Sequence, residues 1–274
     1  MPELPEVETI VSDLRPHVVG RTIVRCDLRF PTLVRHPEPE VFIDSITGLR
    51  IESLGRRGKY ILFGLEHQRM LVIHLGMSGE LRITEPSQEM APHTHVTFDL
   101  DDGKQLRYRD PRRFGRLLLG TEEELLTSRT FPRLGPEPID PLFDTTALYQ
   151  RLRKRRAPLK AVLLDQSTIA GVGNIYADES LHRARLRPDR LAQTLSRKSV
   201  VRLQAALRES LELAIRNRGS SVDTYRDAWG ETGNQQEELL VYGRAGEPCL
   251  NCGRPLSAIR IAGRTTVFCR RCQR

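Results

Sequence analysis

The chain has 274 residues, 39% of them hydrophobic and 28% charged, with a formal net charge of +8. That length is comfortable for two domains and a small module, and the composition is that of a globular protein, which excludes a disordered chain. No stretch approaches the roughly 18 consecutive apolar residues of a membrane span, and early Glu3, Glu6, Glu8, Asp13 and Arg15 exclude a signal segment, so no membrane partner and a cytoplasmic protein are expected.

The positive balance points towards a polyanion, because clustered cations gain affinity by releasing counterions from phosphates; an anionic lipid surface or plain solubility would use the same charge. The opening MPELPEVET has two readings. Proline and acidic residues suit the first turn of a helix. Equally, removal of Met1 would leave Pro2 as a secondary amine beside the carboxylate of Glu3, a pairing able to do carbonyl chemistry. Leu4, Val7, Val11, Leu14 and Val18 recur at helical spacing, which predicts a helix over residues 3–19 with a buried stripe.

From Thr22 the period becomes two, with Val24, Cys26, Leu28 and Phe30 alternating with Arg25, Asp27 and Arg29; Cys26 reads as a core residue. Further strands are expected at Tyr60 to Phe63, Met70 to Leu75, His95 to Leu100, Lys104 to Arg109 and Arg116 to Leu119, with Asp101-Asp102-Gly103 as a hairpin turn. Many short strands predict a β-sandwich or barrel over residues 1–130. The proline-rich run from Phe131 to Pro141 marks a linker, set at 131–144.

Helices follow at Thr145 to Arg156, Pro158 to Asp165, Gly173 to Ala184 and Ser196 to Asn217, the last with Ser196 as N-cap and Val200, Leu203, Leu207, Leu211 and Ala214 as its apolar face. Gly171 and Gly173 make a tight turn before the third helix, where backbone can approach a phosphate and helix N–H groups point outward, although the motif by itself reads first as a purely structural turn. Residues 219–236 are polar, hold the only tryptophan, and read as a mobile loop attached to a helical domain over 145–236. The remainder, 237–274, ends in Cys249-x2-Cys252, sixteen residues, then Cys269-x2-Cys272, the spacing of a four-cysteine zinc ribbon. Four protein ligands leave no open position, so one structural Zn2+ is expected. Arg260, Arg264, Arg270 and Arg271 make that hairpin basic.

The segments MPELPEVET, RRGKY at 56–60, HLGMSG at 74–79, RYRDPRRFG at 107–115, GVGNIYADES at 171–180 and VYGRAGEPC at 241–249, together with the terminal cysteines, resemble the bacterial formamidopyrimidine-DNA glycosylases in motif and order. The resemblance spans essentially the whole chain. It implies an α+β multidomain protein with an N-terminal helix and β-sandwich, a helix-two-turn-helix domain and a zinc ribbon. It also implies a bifunctional glycosylase and abasic-site lyase acting on oxidised purines in damaged double-stranded DNA and associated with the nucleoid; the sequence carries no oligomer signal, so a monomer is expected by default.

By position, the resemblance makes Pro2 the nucleophile at the sugar C1′, Glu3 the acid, Lys59 the residue of β-elimination and Arg264 that of δ-elimination. His74, His93, Arg112, Arg155, Asn174 and Tyr242 become DNA contacts, and Met77, Arg112 and Phe114 the trio inserted where the lesion leaves the stack. The chemistry is coherent: a glycosylase must extrude its nucleotide and fill the gap, and an α-amine with a reference pKa of about 8 is partly unprotonated near neutral pH. One segment departs from the family pattern: relatives usually carry an aromatic shortly after a glycine in the loop over the everted base, whereas here Gly233-Asn234-Gln235-Gln236 stands. Two other readings use the same residues, an endonuclease VIII-like enzyme for oxidised pyrimidines and a non-catalytic zinc-ribbon DNA-binding protein.

Overall fold

The computed structural model describes residues 1–127 and 131–274, which fall into two compact units. One comprises Met1–Arg133 with Asn217–Asn234, the other Leu134–Arg216 with Gln235–Arg274. The expected boundary at residue 130 lies outside the described residues.

The first unit opens with α1 (Leu4–Val18), whose entry is fixed by a capping box: Glu6 Oε2 accepts the Glu3 N–H at 2.8 Å. Leu4, Val7, Ile10, Val11, Leu14 and Val18 are wholly buried, as the spacing predicts, and all but Leu4 line the core of the unit. The chain continues through β1 (Ile23–Leu28), β2 (Val34–His36), α2 (Pro39–Ile46), β3 (Ile51–Arg57), β4 (Tyr60–Leu65) and β5 (Arg69–His74). It then forms β6 (Glu80–Thr84), β7 (Thr94–Leu100), β8 (Gln105–Arg109), β9 (Arg116–Thr121) and α3 (Glu122–Thr127). The strands make two sheets, β1-β7-β8-β6 and β2-β9-β5-β4-β3, antiparallel except where β2 runs parallel to β9. Phe63 and Ile73 of one sheet share a core with Phe98 and Tyr108 of the other, which makes the pair a sandwich.

Two expectations need correction here. A bulge between Ile23 and Arg25 interrupts the alternation in β1, so Ile23 and Cys26 are buried while Val24 is half exposed. Residues 219–236 were expected as a mobile loop of the helical domain, yet 217–234 belong to the first unit and are heavily tied. Arg218 pairs with Asp13 at 2.6 Å and Asp227 at 2.5 Å, and the Asn234 N–H bonds the Asn217 carbonyl at 2.8 Å. Polar groups matched in this way fix a segment that looks uncommitted from its hydrophilicity alone.

The second unit holds α4 (Thr145–Arg153), α5 (Leu159–Leu164), α6 (Asn174–Arg183), α7 (Arg197–Arg216) and the hairpin β10 (Ser257–Ile261) with β11 (Arg264–Phe268). Asp144 caps α4 by accepting the Ala147 N–H at 3.1 Å, and Ser196 caps α7 by accepting the Ser199 N–H at 3.2 Å. The predicted stripe of α7 is buried throughout. Seven consecutive residues of α6, Tyr176 to His182, are buried, so this helix is the centre of the unit and not an amphipathic cover.

Candidate active site and nucleic-acid interface

Pro2 is buried and Met1 exposed at the start of α1. Glu3 is only 2% exposed, and its carboxylate takes part in the capping box. The partner in that box, Glu6, also accepts the Ser220 N–H on Oε1 at 2.8 Å, so one side chain fixes both the helix entry and the 217–234 loop. At Gly219 a Cβ would lie 2.9 Å from the Glu6 side chain, and φ is +81°, so only glycine suits that crossing. The neck of the loop is closer still, since a Cβ on Gly233 would lie 2.1 Å from the Gly219 carbonyl oxygen. Gly233 of the atypical segment therefore serves loop closure, while exposed Asn234 follows it.

Lys59 sits in the turn between β3 and β4 and is 4% exposed, so its charge is held away from bulk water. His74 ends β5, opposite Tyr60 on one side and Arg116 on the other, with its ring 4.7 Å from that of Tyr60. Its Nδ1 accepts the Gly76 N–H at 3.1 Å. Burial, then the nearby charges of Lys59 and Arg116, push its pKa from 6.5 down to about 4. The imidazole is therefore neutral at pH 7 and carries its proton on Nε2, as a donor.

Two loops of this unit carry the trio Met77, Arg112 and Phe114. Phe114 is 54% exposed, Arg112 is exposed with its guanidinium 5.1 Å from the Phe114 ring, and Met77 is half-buried. Arg113 holds φ at +59°, a conformation costing about 1 kcal/mol for a non-glycine residue, and its guanidinium lies 4.6 Å from the Phe30 ring. The loops touch through backbone: a Cβ on Gly76 would lie 2.6 Å from the Phe114 carbonyl carbon. His93 is exposed with φ at +68°, its ring 6.3 Å from that of buried His95.

The second unit collects Arg155, Asn174, Tyr242, Arg264 and the cysteines. Asn174 opens α6 at the N-terminal end of its dipole, and its buried Oδ1 has no hydrogen-bond partner among the described residues. Arg155 is exposed but engaged, pairing with Asp165 at 2.9 Å and donating to Thr168 at 3.0 Å, so a phosphate would have to compete for it. Arg264 is exposed at the start of β11. Tyr242 is held by its backbone, because Glu179 Oε1 accepts the N–H groups of Val241 and Tyr242 and Oε2 that of Leu240, each at 2.9 Å.

The four cysteine sulfurs all lie within 4.8 Å of one another, with Cys249 to Cys272 at 4.0 Å and Cys252 to Cys269 at 3.5 Å. A tetrahedron with metal–sulfur bonds of about 2.3 Å has edges of about 3.8 Å, so the donors fit one Zn2+. The backbone beside the sulfurs is held as well: Gln273 Oε1 accepts the Cys269 N–H at 2.8 Å, while its amide donates to the Leu186 carbonyl at 2.8 Å.

Sequence reasoning missed the acidic residues that arrange all this. Glu6, Asp178 and Glu179 stood inside the quoted motifs and received no role. Their signal is composition: acidic residues inside otherwise buried helices need donors, and backbone N–H groups of distant segments supply them. Asp178 Oδ2 accepts the Val267 N–H at 3.0 Å, and Oδ1 pairs with Lys160 at 2.8 Å, which binds hairpin to helix.

Comparison with known proteins covers the chain in three stretches, the second of which runs past α7 into residues that pack with the first unit. Residues 1–117 match the Formamidopyrimidine-DNA glycosylase N-terminal domain, 134–226 the Formamidopyrimidine-DNA glycosylase H2TH domain, and 246–274 the zinc finger found in FPG and IleRS. The formamidopyrimidine-DNA glycosylase of Moorella thermoacetica is 49% identical over 95% of each chain, and that of Desulfitobacterium hafniense 46% identical over all of both. Among solved structures, the MutM (FPG) protein of Thermus thermophilus superposes with a TM-score of 0.89 at 44% identity, covering 99% of this chain and 98% of that one. The wild-type Lactococcus lactis Fpg, in complex with DNA containing N7-benzyl-Fapy-dG, gives 0.91 at 37% identity over 99% of each. With its three matched domains in family order and relatives aligned end to end, this chain belongs to the formamidopyrimidine-DNA glycosylase family.

Proposed function

We propose that the chain removes oxidised purines, 8-oxoguanine and formamidopyrimidines, from duplex DNA and then cleaves the strand, using the nitrogen of Pro2 after loss of Met1. The observation that carries this reading is the placement of Pro2 and Glu3, both buried at the start of α1, with Glu3 held by the capping box directly after Pro2. The helix entry is thus the mount that aims the amine.

The Pro2 nitrogen forms a bond to C1′ as the glycosidic bond breaks, its own proton leaving with the base; the C1′–O4′ bond then opens as Glu3 protonates the sugar oxygen, and the nitrogen lone pair completes the iminium. The resulting iminium carries a permanent positive charge. That charge acidifies the C2′ hydrogen, and its loss expels the 3′ phosphate; a second elimination expels the 5′ phosphate. Lys59 serves the first elimination and Arg264 the second, as cationic groups beside leaving phosphates. Met77, Arg112 and Phe114 fill the gap left by the extruded nucleotide, two as wedges and Arg112 as a fork for the orphaned base. His74, His93, Arg155, Asn174 and Tyr242 hold the backbone around it, and the protein acts as a monomer in the cytoplasm, on nucleoid DNA. The Zn2+ has no open position and serves the fold of the hairpin that presents Arg264.

Borohydride reduction of the protein on 8-oxoguanine duplex tests this directly. A covalent adduct through Pro2 is expected, absent when Met1 is retained, and a parallel duplex with an oxidised pyrimidine should give far less. Glu3→Gln should bind the lesion duplex and release no base. Failure of the trimmed protein to form any adduct would sink the enzymatic reading.

A further inference from the structure

The loops that carry Met77 and the pair Arg112 and Phe114 are joined by one carboxylate. Asp110 is fully buried. Its Oδ1 accepts the Ser78 hydroxyl at 2.7 Å and the Arg112 N–H at 3.3 Å. Its Oδ2 accepts the Gly115 N–H at 2.8 Å and the Tyr108 hydroxyl at 3.3 Å. The Ser78 oxygen in turn accepts the Arg112 N–H at 3.2 Å, closing a ring of bonds across the two loops. The main chain of Asp110 adds two more ties, its N–H donating to the His93 carbonyl and its carbonyl facing His95 Nε2, each at 3.0 Å.

A buried carboxylate is costly unless every lone pair is used, and here all four of these donors are neutral groups of fixed direction. Such an arrangement supplies geometry more than attraction. Small residues complete it: a Cβ on Gly79 would lie 2.7 Å from the Tyr108 hydroxyl, and one on Gly115 only 1.7 Å from it. The backbone on either side of Met77 and Phe114 is therefore packed onto the ring of bonds.

We propose that Asp110 is a positioning residue for duplex opening, locking both loops so that Met77, Arg112 and Phe114 are aimed before DNA arrives. Ordering them in advance removes a cost that would otherwise fall on the extrusion step. The inference rests on the reading of those three side chains as the inserted trio. Asp110 touches no substrate, so its effect should follow how much base pairing has to be broken.

The test is Asp110→Asn, whose amide presents donors to one pair of donors and cannot accept on both sides. Single-turnover release of 8-oxoguanine from duplex is compared with cleavage of a preformed abasic site in single-stranded DNA, which needs no extrusion. Release from duplex should fall between about tenfold and a hundredfold, with abasic cleavage nearly unchanged. The fluorescence rise of 2-aminopurine beside the lesion should slow in step. Should Asp110→Asn fold poorly, Tyr108→Phe removes one bond of the ring and Ser78→Ala two, and each should shift the same ratio in the same direction by less. Equal slowing of both substrates overturns the proposal, as does an unchanged ratio when the triple variant M77A/R112A/F114A is slowed on duplex. If that triple variant is itself unimpaired, the inserted-trio reading fails first.

Discussion

His74 shows how a single residue reports its surroundings. It stays neutral because burial and the charges of Lys59 and Arg116 disfavour its protonated form, which brings its pKa to about 4. In the unfolded chain the same side chain takes up a proton near pH 6.5. Between those values the unfolded state binds more protons than the folded one, so the stability held above pH 6.5 is lost as pH falls towards 4. The loss from this group between pH 7 and pH 5 should be roughly 1–2 kcal/mol. His74→Asn keeps an acceptor for the Gly76 N–H and has no titration in that range. Urea unfolding at the two pH values should therefore show a smaller acid loss in the variant than in the parent. An equal loss in both would mean that other groups carry the dependence. None of this was legible in HLGMSG, where His74 was one more residue of a matching segment; its character comes from strands β4 and β9, distant in sequence.

At the scale of elements, helix α6 holds the second unit together through charges that sequence periodicity cannot show. Lys160 of α5 and Asp178 of α6 have fully buried side chains 2.8 Å apart, and Lys160 also donates to the Thr265 carbonyl at 3.1 Å. Burial pushes the Asp178 carboxyl up to about 6 against the pull of Lys160, so the pair is held under tension between desolvation and attraction. Lys160→Met would strand the carboxylate, and a loss of about 3–5 kcal/mol is expected in the unfolding of this unit. The double variant Lys160→Met with Asp178→Asn should recover part of it, because the uncompensated charge is gone and an acceptor for the Val267 N–H remains. No recovery would show that the packing of the lysine stem, not the charge, is what matters. The long helices, the caps at Ser196 and the strands from Tyr60 to Leu119 were readable because apolar residues recur at one period over many positions. Strands β3 and β6 were not: Glu80 and Arg82 give β6 a polar face on which Glu80 pairs with Arg82 of its own strand and with Arg109 of β8. Strand β1 was half readable, since a bulge changes the face within the run.

For the whole molecule, the partition into units makes two parts of the chemistry separable in experiment. The first unit contains Pro2, Glu3, Lys59, Met77, Arg112 and Phe114, together with residues 217–234. The second contains Arg155, Asn174, Arg264 and the cysteine cluster. The linear order of the sequence hides this, because the 217–234 loop follows α7 and was grouped with it. Trp229, the only tryptophan, stands in that loop with His17 of α1 edge-on at 5.0 Å, so its fluorescence reports the surroundings of α1 in the first unit. The cysteine cluster depends on its metal: the hairpin core is Val241, Leu256, Val267 and the ligating sulfurs themselves, too little apolar surface to fold a module of that size without a staple. Removing Zn2+ with a chelator should therefore expose reactive thiols and weaken binding to lesion duplex at least about tenfold, through loss of the Arg264 hairpin and the phosphate contact proposed for it. The Trp229 emission should stay unchanged, and restoring Zn2+ should restore binding. A Trp229 spectrum that shifts on chelation would show that the metal supports the first unit as well, and binding that survives with all four thiols reactive would remove the hairpin from the interface.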